Sequence, residues 1–291
     1  MNLKLRRKIR VAPLSLLLFS LLARAQPQVP AGLPANPQDF VRQVVNNELS
    51  SGHRQRYMYR LTRVKPEGSE VRQILETDSV LLSRLLFLNG KPLTQEQSKK
   101  EDQRLLRLLQ SPSELADKRK EQSDEEQRIR KMLSSLPDAF VFEYAGTKAL
   151  PGGDVAVLNF KPNPNFDPPS RETQVYRGAE GVMEVSLRDR RMASLNATLA
   201  EDVNFGWGIL GHLDKGGNFQ VIQAPVMQGQ WMMTRMQLNF TGKLLLLKSL
   251  KIRQEQSTSN FEPVPGLTVA QGIELLKKMD SELARSNGAS R

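Results

Sequence analysis

The chain has 291 residues, of which 39% are hydrophobic and 25% charged, with a formal net charge of +11. That composition suits a globular protein with a substantial buried core. The absence of cysteine excludes disulfides, Cys-ligated zinc, iron–sulfur clusters, thiol nucleophiles and a lipid-modified N-terminal cysteine.

The first segment explains much of the basic balance. Lys4, Arg6, Arg7, Lys8 and Arg10 precede an apolar run from Leu14 to Leu22, and Ala23-Arg24-Ala25 follows as a small-x-small site. These three regions read as a secretory signal peptide cleaved near Ala25, with an apolar run too short to span a bilayer. Removing residues 1–25 takes six basic residues and no acid, so +11 becomes +5. A modest positive charge on an exported chain requires no nucleic-acid partner; solvated surface charge, or contact with anionic lipid headgroups, suffices. Export without cysteine points to a bacterial periplasm.

Residues 26–37 form a lead-in rich in proline, and 38–291 read as a single domain. Asn36-Pro37 sets an N-cap and a first helical turn, and Phe40, Val41, Val44, Val45 and Leu49 share one face of a helix that Gly52 ends. From Gln55 the period changes to two. Runs at 55–62, 70–77 and 80–88, joined by Lys65–Gly68 and closed by Asn89-Gly90, predict an antiparallel meander. Residues 94–136 interrupt it with strong helix formers divided at Ser111-Pro112, predicting a helical hairpin. Its ends carry Leu105, Leu106, Leu108 and Leu109, then Ile129, Met132, Leu133 and Leu136, while residues 117–128 are polar all round. No sustained heptad marks it as a coiled coil.

Strand patterns resume at 139–144, 154–160, 181–187, 192–199, 208–226, 230–240 and 243–253, with turns at Pro151-Gly152-Gly153, Asp189-Arg190, Gly229 and Gly242. Thr268-x-x-Gln271 is a capping box that opens a last helix bearing Val269, Ile273, Leu276, Met279 and Leu283. No strand–helix–strand alternation occurs. The expected fold is α+β, a large antiparallel sheet of about ten strands, covered by helices and too wide to stay flat.

Motifs for catalysis are weak. Gly206-Trp207-Gly208-Ile209-Leu210-Gly211 matches the dinucleotide-binding string. It lacks the helix and the downstream acid that the chemistry needs, since no Asp or Glu occurs from Lys215 through Gln254. Those glycines instead suit a bend in a strand. His53 and His212 are the only histidines; His212 and Asp214 would share a face, and a hydrolase built on His212 is the one enzymatic alternative. No cofactor and no metal site are expected.

A sheet with more apolar surface than its helices cover tends to leave a ligand site. Met183, Met232 and Met236, with Met227 and Met233, supply adaptable side chains. Tyr57, Tyr59, Trp207 and Trp231 could rim a mouth, and Val185, Leu238 and Phe240 share the alternating apolar faces.

The stretch VMQGQWMMTRMQLNFTGKLLLLKSLKIRQ, together with RMASLNATLAED, resembles the periplasmic lipoprotein-carrier family of outer-membrane lipoprotein-sorting proteins. That resemblance implies an unclosed half-barrel with a helical lid, and an apolar cavity for the acyl chains of lipids or lipoproteins. It implies a monomeric, non-enzymatic carrier, with contact to a membrane surface as a further expectation. The alternative is an envelope interaction module that docks a partner through the 94–136 hairpin.

Overall fold

The computed structural model describes residues 32–51, 55–206, 210–227, 229–244 and 248–288. The signal-peptide reading, His53 and Trp207 lie outside them. Helix α1 (Pro37–Ser50) starts where Asn36 accepts a hydrogen bond from the Gln38 N–H at 2.9 Å. The meander follows as β1 (Arg56–Lys65), β2 (Gly68–Glu76) and β3 (Leu81–Leu88), with a two-residue β4 (Lys91–Pro92). Asn89 and Gly90 both take positive φ, as the two-residue hairpin turn requires.

The insertion is a helical pair. Helix α2 (Gln95–Gln110) opens on a capping box between Thr94 and Gln97. Ser111 ends it and also caps α3 (Pro112–Ala139), whose first residue is proline. Strands β5 (Phe140–Lys148), β6 (Val155–Pro162), β7 (Ala179–Ser186) and β8 (Met192–Leu199) come next, with a short 3-10 helix at Glu172–Arg177. Then come β9 (Val203–Phe205), β10 (Gly211–Leu213), β11 (Asn218–Pro225), β12 (Trp231–Leu244), β13 (Lys248–Val264) and helix α4 (Val269–Gly288). Gln271 accepts from the Thr268 N–H at 2.9 Å, so the predicted capping box forms.

All strand pairs are antiparallel, in the order β4-β3-β2-β1-β13-β12-β11-β8-β7-β6-β5, with β9 and β10 beside the end of β12. The terminal strands β4 and β5 do not pair, so the sheet is an open half-barrel within an α+β fold. The expected strand number was low by three: β4, β9 and β10 have only two or three residues each, too few to show a period of two.

Two further expectations are corrected. Residues 208–226 are not one strand; the turn around Gly216, with φ +84°, separates β10 from β11. Gly242 is not a turn. It lies inside β12 opposite Leu213, and a Cβ there would sit 2.1 Å from the His212 carbonyl oxygen. Close backbone approach therefore selects glycine at 242.

The apolar residues collect in two large cores at opposite ends of the sheet. The first joins Phe40, Val41, Val44 and Val45 of α1 to Leu136 of α3 and to the inward residues of β5–β8. The second joins Leu105 and Leu108 of α2 and Ile273 and Leu276 of α4 to Met58, Leu75 and Leu82.

The insertion also covers the β3 edge. Gln122 of α3 accepts from the Leu81 N–H at 2.9 Å and donates to its carbonyl at 3.0 Å. Glu101 accepts from the Leu85 N–H at 3.4 Å, and Arg104 donates to the Ser83 carbonyl. Side chains thus satisfy backbone groups that an open edge would leave for another strand. From Gln122 the helix runs about 25 Å, at 1.5 Å per residue, to its end at Ala139. There it passes directly into β5, the opposite edge. The middle of α3 is exposed, as its composition predicts.

Candidate functional site

The first core extends to Phe240 of β12. Met236 and Leu238 alternate onto the same face, and register places Val221 and Phe219 of β11 beside them. Across β12 and β13, Phe240 lies opposite Ile252, Gly242 opposite Leu250, and Met236 opposite Gln256. All six apolar side chains, Phe219, Val221, Met236, Leu238, Phe240 and Ile252, are half-exposed. They form an apolar strip at the middle of the sheet, beyond the part that α1 covers.

Register carries this face through Arg63 to Leu61 of β1, so Met58 points the other way, into the second core. The two helix-covered cores therefore lie on opposite faces. Tyr57 and Tyr59 alternate onto the same face as Leu61 and meet Phe261, which Tyr59 stacks against at 5.2 Å and Tyr57 meets edge-on at 6.3 Å. The Tyr57 hydroxyl donates to the Met227 carbonyl at 3.4 Å. Burial, with Glu76 nearby, pushes the Tyr59 phenol up to about 12. A neutral phenol against stacked rings suits apolar contact.

The remaining predicted residues separate. Met183 and Val185 are fully buried in the first core beneath α1. Trp231 packs with Val155, Ala193 and Leu150 in a small cluster of its own. Met232 is buried opposite Ala224. Met236, Leu238 and Phe240 are thus the predicted residues that share the strip, with Tyr59 half-buried further along the same face. Phe219, Val221, Ile252 and Phe261 belong with this face and were not singled out from sequence. The alternations Phe219-Gln-Val221 and Leu250-Lys-Ile252 carried the signal, but only register joins them.

Two surface depressions among the described residues lie near these elements. One, of about 480 Å³, lies between Val64, Asn218, Leu238 and Arg253; the other, of about 350 Å³, lies between Ser135, Asn163 and Phe166. Both have mixed linings, and of the strip only Leu238 borders one of them, so the rest of the strip lies outside both depressions.

His212 Nε2 lies 3.1 Å from Asp214 Oδ1, the contact their spacing predicts. Gly206 sits in a turn, and Gly211 begins β10 with φ +136°, its backbone pressed against Lys243. No helix opens there among the described residues. Among the described residues no group of three or more His, Asp or Glu could hold a metal ion, and no helix is long and apolar enough to cross a membrane.

No family model matches the chain. The comparison with curated proteins found no match. Among solved structures, the chain is similar to a DUF1329 family protein from Desulfovibrio piger, with TM-score 0.31 and 11% identity, covering 81% of this chain and 96% of that one. It is similar to an outer membrane lipoprotein-sorting protein domain from Vibrio parahaemolyticus, with TM-score 0.31 and 11% identity over 82% and 97%. It is also similar to the Pseudomonas aeruginosa MucA/MucB complex structure, with TM-score 0.22 and 9% identity over 78% and 93%.

Proposed function

We propose that the protein is an exported, non-enzymatic binder or carrier of acyl chains, on lipids or lipoproteins. The observation that carries this reading is the half-exposed apolar strip of Phe219, Val221, Met236, Leu238, Phe240 and Ile252, which no helix of the first core covers. At about 0.8 kcal/mol per buried CH2, six methylenes laid on it contribute about 5 kcal/mol before the cost of ordering the chain. Met236 lets the surface adapt to different chains. In this reading residues 1–25 are a cleaved signal peptide, 38–291 act as one unit in the periplasm, and the protein works as a monomer.

The test is native mass spectrometry of the mature protein with and without added fatty acid and phospholipid. Retention of one acyl-bearing ligand per chain is expected; failure of every copurified or added lipid to bind would sink the reading.

A second reading, in which the 94–136 helices dock a partner protein, draws on exposed apolar side chains there, Ile129 at 49% and Leu109 at 39%. Replacing both by serine would abolish such docking and leave lipid uptake intact.

A further inference from the structure

The β12–β13 hairpin is basic on one face and apolar on the other. Register sets Lys243 between His212 and Ser249, and Lys251 and Arg253 alternate onto that same face. Leu244, Leu250, Ile252 and Phe240 occupy the opposite face, where Lys248 stands opposite Leu244 at the end of the hairpin. Lys243, Lys248, Lys251 and Arg253 are exposed, with no ion-pair partner among the described residues. No acid occurs from Lys215 through Gln254, and Asp214 is already engaged with His212.

At the end of the hairpin, Leu244 is 40% exposed, and beside it Leu210, which leads into the partner strand β10, is 37% exposed.

We propose that this end of the sheet is a docking surface for a membrane bearing anionic headgroups. The charge is complementary, at about 1 kcal/mol per Lys or Arg held near such a surface. Apolar side chains flanked by cations are the pattern of interfacial binding. Leu244 stands on the same face as Phe240 and Leu238, so the docked end opens onto the apolar strip. That link to the strip rests on the acyl-chain reading; the docking itself does not.

The experiment is co-sedimentation of the mature protein with phosphatidylcholine vesicles, with and without phosphatidylglycerol. Binding is expected only where phosphatidylglycerol is present. It should weaken on raising salt from about 0.1 to about 1 M, as the Debye length falls from about 10 to about 3 Å. The variant K243E/K248E/K251E should bind on the order of 100-fold more weakly, and Leu244→Asp should also weaken binding. Absence of binding, equal binding to both vesicle types, or full binding by the triple variant would overturn the proposal. The wild-type salt series decides the matter even where a variant fails to fold. Acyl uptake by the triple variant, read by native mass spectrometry, should persist. Vesicle docking by a wild-type protein that takes up no acyl chain would defeat the acyl-chain reading alone.

Discussion

Glu48 stands in the last turn of α1, where the helix dipole disfavours a carboxylate and no basic residue of that turn offsets it. Its reason lies across the core. Arg191 Nε donates to Oε1 at 2.8 Å and its terminal nitrogen to Oε2 at 2.7 Å, while the Met192 N–H donates to Oε1 at 2.9 Å. The Glu48 and Arg191 side chains are only 7% and 16% exposed. This clamp fixes the end of α1 against the start of β8, and hence the cover over the first core.

Removing one partner of a buried pair costs about 3–5 kcal/mol. Arg191 retains some access to water, so Glu48→Ala should cost about 3 kcal/mol, the low end. Glu48→Gln keeps an acceptor for the Met192 N–H and should cost about half as much. The assay is urea unfolding followed by far-UV circular dichroism. At roughly 2–4 °C per kcal/mol for a domain approaching this size, Glu48→Ala should lower Tm by about 6–12 °C. A loss below about 1 kcal/mol would refute the clamp as a determinant of α1 docking.

Other predictions follow from the tyrosines, the glycines and the covered edge. Burial pushes the phenols of Tyr59 and Tyr144 up to about 12 and that of Tyr176 higher still. Because the unfolded chain releases those protons first, near the usual phenol value of about 10, stability should fall as pH rises from about 10 toward 12. A stability curve flat across that window would contradict their burial. Gly242→Ala should destabilise by about 1–3 kcal/mol in urea unfolding, because its Cβ would meet the His212 carbonyl oxygen at 2.1 Å. Gln122→Ala combined with Glu101→Ala uncovers backbone groups of β3, and light scattering should then report concentration-dependent self-association. A variant that stays monomeric at high concentration would count against an edge-guarding role.

The sequence announced what local physics controls. The meander of β1–β3 was legible because its turns are short and Asn89-Gly90 has only one comfortable conformation. The division of the insertion at Ser111-Pro112 was legible because a cap and a proline at the first helical position are local devices. The far half of β13 was not, since residues 254–260 are Gln, Glu, Ser, Thr and Asn with no apolar alternation. They form a strand because β1 pairs with β13 across most of the chain. The candidate site divides the same way. Met236, Leu238 and Phe240 were visible as an alternation, whereas Trp231 shares their strand but packs elsewhere. Met183 and Val185 share their apolar character but lie beneath α1.

The central claim is that an acyl chain lies along the strip formed by β11, β12 and β13. A fatty acid carrying a photoreactive diazirine in its chain, bound to the mature protein, irradiated and mapped by peptide mass spectrometry, tests it most directly. Cross-links should concentrate in peptides containing Phe219–Val221, Met236–Phe240 and Leu250–Ile252, and excess unlabelled fatty acid should suppress them. Cross-links confined to the α2–α3 helices or the Trp231 cluster, or none above background, would contradict the account.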